Sequence, residues 1–84
     1  MVKPRPDLAV ENSDGELIVL DKGAGRVHQL NQSAALVWLG IGEGLAIDEI
    51  AIKLTGAFDV EHKNAVADVQ ATISQLRELG LLVD

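Results

Sequence analysis

The chain has 84 residues, 48% of them apolar, and seven Lys and Arg against thirteen Asp and Glu give a net charge of -6. That length admits one domain, since domains commonly run to about 100–150 residues, and the apolar fraction excludes a disordered acidic tail. The absence of cysteine excludes disulfides, thiolate metal sites and cysteine nucleophiles, and the acidic balance disfavours partners built of phosphates.

Residues 1–6, Met1-Val2-Lys3-Pro4-Arg5-Pro6, carry two basic groups but no apolar run behind them. They do not read as a signal peptide and are expected to be flexible. No apolar stretch approaches the roughly 18 residues of a membrane span, so the cytoplasm is the expected location and no membrane partner is expected. From Asp7 to Asn12 the chain alternates around Leu8 and Val10, the period of a strand. Ser13-Asp14-Gly15 is a turn signal, because Asp and Gly tolerate the left-handed backbone of a tight hairpin. Glu16-Leu17-Ile18-Val19-Leu20-Asp21 reads as a short, well-buried second strand. Lys22-Gly23-Ala24-Gly25 turns the chain again, and Arg26–Leu30 makes a third strand, completing an antiparallel meander.

The period changes at Asn31, whose side chain suits a helix N-cap. Ala34, Ala35, Leu36, Val37, Trp38, Leu39 and Ile41 follow, so most of the first helix's circumference should be buried. Gly40, Gly42 and Gly44 mark its end. A second helix is expected from Ile47 to Leu54, with Ile47, Ile50, Ala51 and Leu54 on one stripe. Asp48 and Glu49 complement its dipole, and Gly56 ends it. The third helix takes Asp59 as its cap, Glu61 and His62 as its opening and Gly80 as its stop. Val66, Val69, Ile73 and Leu76 form its buried stripe, and Leu81-Leu82-Val83 should pack back on the core. The whole is an α+β domain over residues 1–84. A three-stranded antiparallel sheet is followed by three helices, comparable to a winged helix-turn-helix.

Catalytic chemistry finds no foothold. His28 and His62 are too far apart in sequence for a dedicated zinc site. Ser13, Ser33 and Ser74 have no neighbouring His and no strained elbow. Asp48-Glu49 is an adjacent pair at a helix start, where dipole matching explains it better than acid–base work. The runs Gly23-Ala24-Gly25 and Gly40–Gly44 lack the Lys-Ser/Thr ending of a phosphate loop, and Glu43 would repel phosphate. The chain is therefore expected not to be an enzyme and to need no cofactor or metal. A DNA-binding reading meets only Lys53 on the second helix. On the third, Lys63, Asn64, Gln70, Gln75 and Arg77 are interleaved with Glu61, Asp68 and Glu78, so phosphate neutralisation is missing and nucleic acid is not expected. Peptide or protein binding remains. An edge strand offers unpaired amides and carbonyls to an added strand, and the third strand is a candidate edge, either open or covered.

Asp14-Gly15-Glu16-Leu17-Ile18-Val19-Leu20-Asp21, Gly25-Arg26-Val27-His28-Gln29-Leu30-Asn31 with Ala34 or Ala35, Asp48-Glu49-Ile50-Ala51, and Ala67-Asp68-Val69 followed by Leu76 and Gly80-Leu81-Leu82 come in an order and spacing that resemble the PqqD-like family from about Leu8 to Leu82. The resemblance implies three strands on a winged-helix-like bundle. It also implies the role of a RiPP precursor-peptide recognition element, a non-catalytic domain that holds the leader region of a ribosomally made precursor while partner enzymes modify the core. In the family the leader adds as a strand beside the third strand and packs against the third helix. The matching positions are Arg26, Val27, His28, Gln29 and Leu30, with Asp68, Val69, Thr72, Ile73 and Leu76. Val69, Ile73 and Leu76 suit a core as well as a groove, and Asp68, at the border of the stripe, suits either a basic leader residue or solvent. Two departures stand out. Val27 and His28 occupy positions where the family often has aromatics, and Gly42-Glu43-Gly44 replaces the Cys-Asp-Gly of the quinone-cofactor proteins. The second points to a free-standing element of another peptide pathway, of lasso-peptide type, with a leader peptidase and a cyclase as partners. The alternatives are a winged-helix DNA-binding regulator and a peptide chaperone of the pyrroloquinoline quinone pathway.

Overall fold

The computed structural model describes residues 2–84. In chain order the elements are β1 (Lys3–Pro4), β2 (Ala9–Ser13), β3 (Glu16–Asp21), β4 (Arg26–Leu30), α1 (Gln32–Gly42), α2 (Ile47–Ala57), α3 (His62–Glu78) and β5 (Leu82–Val83). The expected α+β order of a meander followed by three helices is present. β2, β3 and β4 pair antiparallel in that order, and β1 pairs with β5 as a separate two-stranded ribbon.

The β2–β3 turn is two residues long. Ser13 pairs with Glu16, and Asp14 and Gly15 both have positive φ, 51° and 84°, the backbone of a type I′ hairpin. In β3 burial alternates strictly: Leu17, Val19 and Asp21 are buried, while Glu16, Ile18 and Leu20 are half-buried. The buried face meets α1, the only helix that approaches this sheet among the described residues. Asn31 caps α1 as expected, its side-chain oxygen accepting from the Ala34 amide at 2.9 Å. Ala35, Val37, Trp38 and Ile41 carry α1 into the core, with Leu39 alone of its large apolar residues turned to solvent. Among the described residues no helix is long and apolar enough to cross a membrane.

Three boundaries differ from the sequence reading. Gly40 does not end α1. It lies inside the helix and is buried, because α1 and α2 cross there: a Cβ on Gly40 would stand 2.8 Å from Cγ1 of Ile50. Gly56 does not end α2 either, since the helix continues to Ala57 and stops where Phe58 turns extended. Glu49 reaches back to accept from the Ala46 amide at 2.9 Å, half of a capping box. The N-cap of α3 is Glu61, with no side-chain bond, rather than Asp59. Phe58 and Val60 are both half-buried, and holding them against the core keeps the intervening Asp59 off the helix axis. The buried line of α3 is Ala65, Val69 and Leu76, with Val66 and Ile73 half-buried beside it.

The N-terminal arm differs most. Where a flexible segment was expected, Lys3–Pro4 forms a strand on Leu82–Val83. The tail beyond Gly80 supplies the partner, Leu81 being fully buried. Arg5 then ties three parts of the chain. Its guanidinium donates to Asp21 (2.9 Å), to the Gly80 carbonyl (2.9 Å) and to Asp7 (2.7 Å). Asp21 is 3% exposed and also accepts from the Ala24 amide at 3.2 Å. The hydrogen bond from Arg5 holds the Asp21 carboxyl below its usual range, against the opposing effect of burial. A carboxylate depressed in this way stabilises the fold above its unfolded pKa of about 3.9, and that contribution is lost as pH falls through the folded value. Asp21→Asn should therefore lower the melting temperature at pH 7, and the gap from the parent should close as pH is lowered through the carboxylate range. Thermal melts followed by circular dichroism read this directly, and a gap independent of pH would contradict it.

Candidate functional site

β4 has β3 on one side and, among the described residues, no strand on the other. Its register is Asp21 with Arg26, Leu20 with Val27, Val19 with His28, Ile18 with Gln29 and Leu17 with Leu30. Backbone groups along a strand point alternately to its two sides. In a two-residue hairpin the residues flanking the turn are a hydrogen-bonded pair, here Ser13 and Glu16. Glu16, Ile18 and Leu20 thus bond toward β2, while Leu17, Val19 and Asp21 bond toward β4. Arg26, His28 and Leu30 are their partners. The amides and carbonyls of Val27 and Gln29 are left facing the open edge.

A groove of about 430 Å³ lies between α1 and α3. Ser33 and Val37 of α1 form one side and Asp68, Ala71, Thr72 and Gln75 of α3 the other, and Leu54, Phe58 and Val60 close it. The four α3 residues are spaced i, i+3, i+4 and i+7, so they share a face beside the core line. α3 makes no close approach to β4, and α1 contacts both. α1 therefore links β4 to α3, and its Ser33, three residues after Leu30, lines the groove.

The sequence-derived site residues divide. Asp68 and Thr72 stand together in the groove. Arg26, Val27 and Gln29 are exposed on the edge strand, with the Gln29 side-chain amide donating to the Glu16 carboxylate. His28 is half-buried on the inward face, and its Nε2 is buried without a hydrogen-bond partner among the described residues. Leu30, Val69 and Leu76 belong to the core. Ile73 faces the opposite side of α3, in a second, mostly apolar groove with Val2, Ile41, Leu45, Ile47 and Arg77. Phe58, Val60 and Ala71 were not singled out from the sequence, and Ser33 and Gln75 were weighed there only for catalysis and for DNA reading. For the α3 pair the signal was legible as a second helical stripe next to the core one. For Phe58 it lay in its being the only phenylalanine.

The fold matches that of two solved leader-peptide complexes. One is described as lasso peptide synthetase B1 complexed with the leader peptide; the similarity has 30% identity and a TM-score of 0.89 over 99% of this chain and 98% of that one. The other, TbiB1 in complex with the TbiA(beta) leader peptide, is 20% identical, with a TM-score of 0.86 over 95% of this chain and 93% of that one, and shares the fold. No curated protein matches the sequence. With residues 16–82 matching coenzyme PQQ synthesis protein D, a span that holds β3, β4 and all three helices around the groove, the chain belongs to the PqqD family.

Proposed function

We propose that this chain is a non-catalytic adaptor that binds the leader region of a ribosomally synthesised precursor peptide and presents it to modifying enzymes, a leader peptidase and a cyclase, in the cytoplasm. The leader adds as a strand to the free edge of β4, using the backbone groups of Val27 and Gln29. It lays alternate side chains into the groove beside Asp68 and Thr72. The observation that carries this reading is a β4 edge with no strand on it among the described residues, in a fold where α1, next in the chain, forms one side of a groove whose other side is α3. The likeness to a leader-bound lasso peptide synthetase B1 over 98% of that chain supports it. Strand addition draws affinity from main-chain hydrogen bonds and selectivity from side-chain pockets, which suits a protein that must hold a peptide without consuming it.

The test is a fluorescence anisotropy titration with fluorescein-labelled leader peptides of lasso-peptide precursors. Saturable binding is expected, and no binding at high micromolar protein would count against the adaptor. Thr72→Arg, which fills the groove from its α3 wall, should weaken binding about tenfold, or 1.4 kcal/mol, with the far-ultraviolet spectrum unchanged. Arg77→Ala, on the opposite side of α3, should leave binding as it was.

A further inference from the structure

The two faces of the β2–β3–β4 sheet are unlike. The inward one is covered by α1, and the outer one carries no helix among the described residues. Register places Ala9 and Val27 on either side of Leu20, so an apolar row, Ala9–Leu20–Val27, crosses all three strands on the outer face. It runs to the open edge of β4 and ends there on Val27, which is 67% exposed. The adjacent row, Glu11–Ile18–Gln29, turns polar at the same edge, where Gln29 bonds Glu16. Apolar side chains on one face of a sheet are stabilised by cross-strand neighbours. Val27 has such a neighbour on the β3 side and, among the described residues, none on the other.

We propose that Val27 is a specificity-determining residue. The leader is read on the outer face of the sheet as well as in the groove, through an apolar residue that pairs with Val27 and extends the Ala9–Leu20–Val27 row, and through a polar residue two positions along beside Gln29 and Glu16. This rests on the reading of β4 as the leader-binding strand. Side chains of an added strand alternate between the two faces. The residue paired with Val27 faces outward, and its immediate neighbours face the helices and the groove with Asp68 and Thr72. A slip of one residue exchanges the two sets, so the apolar and polar ends of the two outer rows together set the leader's register. The substrate class is a leader segment whose outward positions carry one apolar and one polar residue, spaced by two.

A double-mutant cycle tests this by anisotropy, with Val27→Thr on the protein and a single-alanine scan along the leader. Val27 is exposed and Thr is also β-branched, so the strand persists. Val27→Thr should weaken binding about threefold and Val27→Glu about tenfold, from the lost cross-strand contact and a charge set against an apolar partner. Val10→Thr, on β2 at the opposite edge of the sheet, should change nothing. Alanine at one apolar leader position should abolish the effect of Val27→Thr, and the coupling should vanish at the positions on either side. Unchanged binding by both Val27 variants, or additive effects at every apolar leader position, would overturn the proposal while leaving leader binding at β4 standing. A parent protein that does not bind the leader at all would overturn the proposal together with the reading it rests on.

Discussion

Gln29→Pro should weaken leader binding at least about tenfold, whereas Gln29→Ala should change it by no more than about threefold, since an unmade hydrogen bond to a buried partner costs about 1–3 kcal/mol. Gln29 is exposed, and its backbone groups face the open edge of β4. Proline there removes one amide donor and leaves the β3–β4 ladder intact, because proline is tolerated on an edge strand with its nitrogen turned to solvent. Alanine keeps the donor and loses only the side-chain bond to Glu16. His28→Pro is the internal control. The His28 amide points to β3, so that substitution should lower the melting temperature instead of acting on binding alone. Equal effects of Gln29→Pro and Gln29→Ala on the titration, with circular dichroism unchanged, would remove strand addition as the mode of binding.

Gly40→Val should cost about 3 kcal/mol of stability, near the upper end of what overpacking a core costs. The reason is contact rather than backbone freedom. The first added carbon already meets Ile50 at 2.8 Å, and Ile50 is 1% exposed, so it has no solvent to move into. Gly40→Ala adds that carbon alone and regains about 1 kcal/mol of helix propensity, so its net loss should be smaller. Urea unfolding measures both. Combining Gly40→Val with Ile50→Ala should cost less than the sum of the two single changes, because the cavity made by one accepts the carbons added by the other. Additive losses would mean that the helices do not meet at this point. For a domain whose total stability is of the order of 5–15 kcal/mol, the Gly40→Val loss is large enough to be visible in expression as well.

Local patterns carried most of the architecture. The strand of Leu17 and Val19, the hairpin at Asp14-Gly15, the cap at Asn31 and the stripe of Val69 and Leu76 all follow from periods of two or 3.6 residues and from turn chemistry within a few residues of the feature. Gly40 shows where such reading fails. A glycine near the end of an apolar helix looks the same in sequence whether it stops the helix or admits a neighbour, and only the position of Ile50 on α2 separates the two. The candidate site divided in the same way. Asp68 and Thr72 were placed by family resemblance, and the groove they line depends on Ser33 and Phe58, which reach it from other elements. Val69, Ile73 and Leu76 share one apolar stripe, yet two of them lie in the core and Ile73 lies on the far side of the helix from Asp68.

From the sequence alone came the class of fold, the order of the three meander strands and the three helices, and most of the core, because each of these is written in neighbours along the chain. The tertiary structure alone decided that the N-terminal arm is a strand, that Arg5 joins Asp21 to Gly80, that the edge of β4 is open, and that an apolar row ends on it at Val27. Those features join residues far apart in sequence, 5 with 21 and 80, or 9 with 20 and 27. Such meetings are decided by packing and register, which no local period encodes.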